Sequence, residues 1–233
     1  MRRPAGSSVL LLPGPWESLL GRTRYRWISD LPLIEVVGDG KSLISPVKRV
    51  GDLVGGSLLL ILAMPILLLA VVAVRLTSSG PAFFRQPRVG RDQRPFTLLK
   101  LRTMHLGAER AGEEILADVD DPRRTPVGGC LRRTGIDEIP QLWNVVRGDM
   151  SLVGPRPERP GFVDTYLKQV TGYAERFAVR PGVTGLAQVN GDYHSSPANK
   201  LRYDLAYIAN AGLWLDLSIL LRTVKIVLAS SGV

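Results

Sequence analysis

The chain contains one cysteine, Cys130, and two histidines, His105 and His194. A single thiol excludes an internal disulfide and a Cys-based zinc site, and two histidines make a His-rich metal centre a poor fit. What remains for metal chemistry is oxygen ligation of a hard cation such as magnesium. Acid is the scarcer charge: 21 Asp and Glu stand against 30 Lys and Arg, for a net charge of +9. An anionic partner follows, whether nucleic acid, a membrane surface or a phosphorylated substrate. Aromatics are sparse in the basic stretches, which counts against nucleic acid. The N-terminal apolar patch, residues 9–12, is too short for a signal-peptide core.

Charge of either sign is missing from residues 53–74, a run of 22. As a helix it would be roughly 33 Å long, enough to cross a bilayer core. Pro65 sits at its middle and predicts a kink or break. Lys48 and Arg49 precede the run, and Arg75, Arg85, Arg88 and Arg91 follow it. Both ends therefore read as cytoplasmic, and a re-entrant helix-break-helix hairpin satisfies proline and charge together. A kinked spanning helix is the alternative; a buried soluble helix is disfavoured by the length of the run.

Around this element the sequence predicts a mainly α fold with minor β. Residues 1–45 read as an irregular leader with one strand near 31–37 closed by Gly38-Asp39-Gly40, 46–78 as the membrane hairpin and 79–233 as a cytosolic α/β unit. Alternation over 96–101 predicts a strand that hands Lys100 and Arg102 to a site or to a lipid headgroup. Residues 109–121 read as a solvated acidic helix or loop. Residues 166–177 suggest an amphipathic helix or helix-loop, and 200–229 two helices broken near 210–212. In the last of these, Trp214, Leu217, Leu220, Leu221, Val224 and Leu228 form an apolar side that suits either the membrane interface or the protein's own core.

The densest chemistry lies in residues 131–157, LRRTGIDEIPQLWNVVRGDMSLVGPRP. Pro140 is tolerated only in a first helical turn, so a helix is predicted to begin near Ile136 or Asp137 and stop at Gly148. That puts Asp137 and Glu138 at a helix N-terminus, where free N–H groups and the macrodipole favour an anion; simple capping is the structural alternative. The turn Gly154-Pro155-Arg156-Pro157 can present a guanidinium to phosphate. After Arg180-Pro181-Gly182, Gln188, Asn190 and Asp192 could hold a base or sugar, or cap their own loop.

These residues closely resemble the bacterial sugar transferases, monotopic polyprenyl-phosphate phosphoglycosyl transferases, from about residue 45 onward. The resemblance rests on Lys48-Arg49 with Asp52-Leu53, the Pro-broken apolar run, Ser79-Gly80-Pro81, Phe84 with Gln86, Arg88 and Gly90, KLRTM at 100–104, IDEIPQLWNVVRGDMSLVGPRP, RPGVTGLAQVNG and DLAYIANAGLWLD. It implies transfer of a phospho-sugar from a nucleotide sugar, usually a UDP-sugar, to a polyprenyl phosphate with release of UMP, as a first step of glycan assembly. It further implies Asp137 as the nucleophile of a covalent intermediate, Glu138 beside it, and magnesium on the pair. Lys100, Arg102, Arg132, Arg156, Arg180, Gln188, Asn190 and Asp216 become candidate substrate-binding residues. The implied location is the bacterial inner membrane with the catalytic unit facing the cytoplasm, and a homodimer is compatible with it; no nucleic-acid partner is expected. The departures are Met64 where the family often has Ser before Pro65, Arg94 where glycine is usual, Gly129-Cys130 where Arg-Phe is usual, and Asp192 where Arg is common. They motivate a catalytically impaired scaffold of the same fold as the alternative.

Overall fold

The computed structural model describes residues 9–11, 24–28, 31–36, 46–108, 121–190 and 196–230. In chain order these form β1 (Val9–Leu11), β2 (Arg24–Ile28), β3 (Leu31–Val36), α1 (Pro46–Thr77), β4 (Phe83–Val89), β5 (Pro95–Leu101), α2 (Gly128–Thr134), α3 (Gln141–Arg147), β6 (Ser151–Val153), α4 (Pro160–Gln169), β7 (Gly182–Thr184), α5 (Leu186–Asn190), α6 (Pro197–Asn210) and α7 (Leu213–Ser230). Mainly helical architecture with short sheets is thus as expected. The leader differs: it carries three strands in an antiparallel sheet of order β1-β3-β2, not one. Residues 24–28 alternate basic with apolar side chains, the period-2 pattern of a strand. The Gly38-Asp39-Gly40 turn, the segment 109–120 and Asp192 lie outside the described residues.

α1 is helical over 32 residues, Pro65 included. The expected break is absent. Proline removes one donor, its own, while the Leu, Ala and Met on both sides are strong helix formers that continue the turns around it. By length and composition α1 is able to cross a membrane. Yet a single stripe faces the rest of the protein along nearly its whole length. Asp52, Gly56, Leu67, Ala70 and Val74 are buried, and Leu60 packs on the central core. The opposite side is bare, with Leu58, Ile61, Leu62, Leu68, Leu69 and Leu76 exposed.

Both ends of α1 are fastened to the same globular body. Near its start, Arg49 donates to the carbonyls of Val145 at 2.7 Å and Val146 at 2.8 Å, satisfying the open end of α3. One turn on, Asp52 accepts from Ser151 Oγ and the Leu152 N–H, each at 3.0 Å. At the far end Arg102 donates to the carbonyls of Ser78 and Ser79 and to Ser78 Oγ.

β4 and β5 form an antiparallel hairpin with Phe84 opposite Lys100. In its turn Asp92 and Gln93 have φ of 54° and 60°, whereas Arg94 has φ of −76°. The position that favours glycine here is therefore Gln93, not Arg94. A left-handed non-glycine residue costs about 1–2 kcal/mol, offset in part by the extra unfolded-state entropy of glycine. Gln93→Gly is expected to stabilise the protein by about 0.5 kcal/mol, read as a small rise in melting temperature.

The central core joins Leu98, Leu142, Val145, Met150, Leu152, Val153, Leu186, Tyr207 and Ile219. A second cluster packs α1 through Leu67, Ala70 and Val74 on Leu101 and Leu131. Over 166–177 the structure has the helix-loop alternative: α4 ends at Gln169, Gly172 turns left-handed, and Tyr173–Ala178 is a 3-10 segment. The C-terminal pair, α6 and α7, breaks near 210–212 as expected. In α7, Ile219 and Asp216 face inward and Leu220 packs on the core, while Leu213, Trp214, Leu217, Leu221 and Val224 are exposed, Trp214 by 83%.

Candidate active site

Gly135, left-handed at φ 70°, ends α2 and redirects the chain. Residues Ile136–Glu138 then make one 3-10 turn, and α3 starts only at Gln141, with Pro140 in the N-cap position. The helix N-terminus expected at Ile136 or Asp137 thus lies several residues later. The N–H groups of Glu138 and Ile139 are already bonded to the Gly135 and Ile136 carbonyls, at 3.0 and 3.3 Å. These two are not open to an anion, whereas cationic side chains stand close to the dyad.

Those side chains converge from three elements. Glu138 Oε1 accepts from Lys100 Nζ of β5 at 2.6 Å and from Arg156 Nη2 of the loop after β6 at 2.8 Å. Burial works to raise the Glu138 pKa, but Arg156 and Lys100 outweigh it and hold the carboxyl well below the ordinary range. Burial pulls the Lys100 ammonium down, against the pull of Glu138. Asp137 is in the opposite situation. It is 6% exposed, and its carboxylate makes no hydrogen bond among the described residues. Burial pushes its pKa up to about 6, with Lys100 opposing, Glu138 adding, and Arg132 and Arg156 opposing more weakly. One carboxylate is locked by two cations while its neighbour is left unpaired, and an unpaired carboxylate keeps its lone pairs for a reacting atom.

The loop that carries Arg156 is fixed on several sides. Arg88 Nη1 donates to the Pro157 carbonyl at 3.0 Å, the Val89 N–H to the Glu158 carbonyl at 3.0 Å, and the Gly182 N–H to the Pro155 carbonyl at 2.9 Å. Gly154 lets β6 and β7 cross closely: a Cβ there would stand 2.5 Å from the Arg180 carbonyl and 2.9 Å from the Gly182 nitrogen. Arg176 adds a further brace. Its Nη2 donates to the Arg156 carbonyl at 2.9 Å while Nε and Nη2 hold Asp204 at 2.9 and 2.8 Å.

The remaining candidates are elsewhere. Arg102 is spent at the end of α1, as above. Gln188 Nε2 donates to the Val183 carbonyl and Asn190 Nδ2 to the Leu186 carbonyl, each at 3.0 Å, and Asn190 Oδ1 accepts from Arg222. Both amides are loop caps in this arrangement. Asp216 is buried between Lys48 Nζ at 2.6 Å and the Tyr207 hydroxyl at 2.8 Å, tying α7 to the start of α1. Arg180 lines a separate cleft with Lys48, Arg49 and Arg91. The roles of Asp52, Arg91, Arg176 and Asp204 are missing from the sequence reading. Asp52 carried a signal, a lone acid within one turn of a charge-free run; the others meet their partners only through the fold.

A carboxylate pair with Lys100, Arg132 and Arg156 about it stands on a body that carries a long apolar helix, able by length and composition to cross a membrane. The chain belongs to the bacterial sugar transferase family, whose model matches residues 43–230. A UDP-glucose:undecaprenyl-phosphate glucose-1-phosphate transferase of Caulobacter vibrioides is 47% identical over 190 residues, covering 79% of this chain and 71% of that protein. A transferase of the same name from Klebsiella pneumoniae is 40% identical over 223 residues, covering 93% of this chain and 48% of that one. A UDP-N-acetylgalactosamine-undecaprenyl-phosphate N-acetylgalactosaminephosphotransferase of Aeromonas hydrophila is 37% identical, with 93% and 51% covered. The chain thus spans about half the length of the latter two relatives.

Proposed function

We propose that this protein transfers a phospho-sugar from a UDP-sugar to a polyprenyl phosphate at the inner membrane, through a covalent intermediate on Asp137. The observation that carries the reading is the contrast within the dyad, a buried unpaired Asp137 beside a Glu138 locked by Lys100 and Arg156. The names of the relatives supply the substrate classes. An Asp137 oxygen attacks the donor phosphorus nearer the sugar. The bond from that phosphorus to the bridging oxygen breaks, and UMP leaves with that oxygen. A lipid phosphate oxygen then attacks the same phosphorus, freeing the Asp137 carboxylate and leaving the sugar on a lipid diphosphate. Lys100, Arg132 and Arg156 would hold the phosphates and offset their charge.

No three Asp, Glu, His or Cys groups gather among the described residues, so these offer no all-protein metal cage. Asp137 and the second oxygen of Glu138 fit the smaller share that a protein gives magnesium when substrate phosphates and water complete the shell. When bound, magnesium supplies charge screening between the diphosphate and the attacking carboxylate.

A same-face, re-entrant seating of α1 is part of the proposal, with the catalytic body on the cytoplasmic side; since α1 is unbroken in the structure, re-entry requires it to bend at Pro65 on entering the bilayer. What supports it is the attachment of both ends of α1 to one body, through Arg49 and Asp52 at the start and Arg102 at the end. Labelling of cysteines introduced near Lys48 and Ser78 is expected from one membrane side only; labelling from opposite sides would refute the seating.

The reaction is tested by UMP release from a panel of UDP-sugars with magnesium and polyprenyl phosphate. Release with none of them would favour the impaired scaffold. Because only ionised Asp137 attacks, kcat/KM is expected to rise with pH along an acidic limb; burial sets the metal-free carboxyl to about 6, and saturating magnesium should move the limb lower. Lys100 favours the ionised form, so Lys100→Met should move that limb to higher pH as well as lowering turnover. A limb that stays in place would detach Lys100 from Asp137.

A further inference from the structure

Apart from the dyad, the start of α1, the β4–β5 turn and the chain around Arg180 border a narrow cleft, open to solvent, with room at its floor for about one water molecule. Its lining is cationic: Lys48, Arg49, Arg91 and Arg180, with Asp52 and the Tyr207 hydroxyl among them. Neither dyad carboxylate reaches it. Lys48 is matched by Asp216 at 2.6 Å and lies 4.0 Å from Asp52, which Ser151 and the Leu152 N–H also hold. The three guanidiniums are less well matched. Arg49 spends its terminal nitrogens on neutral carbonyls. Arg180 gives Nε to the Gly148 carbonyl at 2.9 Å, and its terminal nitrogens have no hydrogen-bond partner among the described residues. Arg91 Nε is buried without a hydrogen bond, the nearest carboxylate being the exposed Asp92 at 3.5 Å.

Like charges held together in a partly buried cleft repel, and an anion relieves them. Burial and the charges of Arg49 and Arg91 together lower the Arg180 pKa. Position narrows the anion's identity. Lys48 and Arg49 precede the charge-free stretch of α1 by about one turn, so the cleft lies where the helix passes from polar to apolar surroundings. The guanidiniums of Arg91 and Arg180, with the charge of Arg49 beside them, suit the several acceptor oxygens of a phosphate.

We propose that this cleft is a second phosphate site, distinct from the dyad, that takes the phosphate of either a membrane lipid headgroup or a soluble nucleotide. The test is calorimetric titration of the full chain, purified in a phosphate-free maltoside detergent, with dihexanoyl phosphatidic acid in one arm and UMP in the other. At least one probe is expected to bind saturably, and the arm that binds identifies the source. Arg91→Gln/Arg180→Gln should weaken that binding about tenfold or more, as loss of charge-assisted hydrogen bonds requires. Arg91→Lys/Arg180→Lys, which keeps the charge and guards against misfolding, should retain most of it. The loss from the Gln double variant should persist in an Arg156→Gln background, where phosphate binding at the dyad is already weakened. Binding of neither probe, equal binding by the Gln double variant, or a loss that disappears in the Arg156→Gln background would overturn the proposal. The titration needs no turnover, so its failure is distinguishable from failure of the transfer reaction.

Discussion

Asp137→Asn is expected to abolish UMP release, lowering kcat by about 10⁴-fold or more, while leaving the protein at least as resistant to heat at pH 8 as the parent. The two halves have one cause. Burial raises the Asp137 pKa from an ordinary 3.8 to about 6, so the folded state holds the proton more tightly than the unfolded chain. Stability from this group is fully present below pH 3.8 and is lost as pH rises through about 6. Above that, the ionised side chain costs about 2–3 kcal/mol, as the size of the shift implies. Asparagine is uncharged and removes both the nucleophile and the cost. Inactivation accompanied by a marked loss of melting temperature would mean that Asp137 is chiefly a structural residue.

Arg176→Met is expected to destabilise the protein by about 3–5 kcal/mol, because it strands the buried carboxylate of Asp204. Adding Asp204→Leu should restore most of the stability, since replacing both members of a buried pair by apolar groups is often neutral. Turnover should not return with it. The double variant still lacks the Nη2 bond to the Arg156 carbonyl, so the Arg156 loop loses a brace that packing does not replace. The readouts are a melting curve and kcat/KM for the two single variants and the double one. Recovery of both together would show that Arg176 only supports the fold, whereas the expected split makes it a positioning residue for Arg156.

Local pattern in the sequence exposed much of the scaffold. Alternation over 96–101 corresponds to β5, the break between α6 and α7 lies where Gly212 stands, and the acidic dyad stands out between Gly135 and Pro140. What stayed hidden depended on partners distant in sequence or on backbone geometry. A proline in a first turn can open a helix or cap one, and only the left-handed Gly135 with its 3-10 turn decides that Asp137 precedes α3. Arg102 carries a motif position but turns toward Ser78, some 24 residues away. The cleft of Lys48, Arg91 and Arg180 draws on three segments that no periodicity connects. Pro65 is a case where a strong local rule gave way, because the flanking Leu and Ala turns continue around a single lost hydrogen bond.

The most direct measurement is the intact mass of the protein after incubation with donor and magnesium in the absence of polyprenyl phosphate, followed by peptide mapping. The proposed chemistry predicts a mass increase of one phospho-sugar on the peptide containing Asp137, discharged when the lipid phosphate is added and never formed by Asp137→Asn. Release of UMP only when the acceptor is present, or an adduct on another residue, would contradict it.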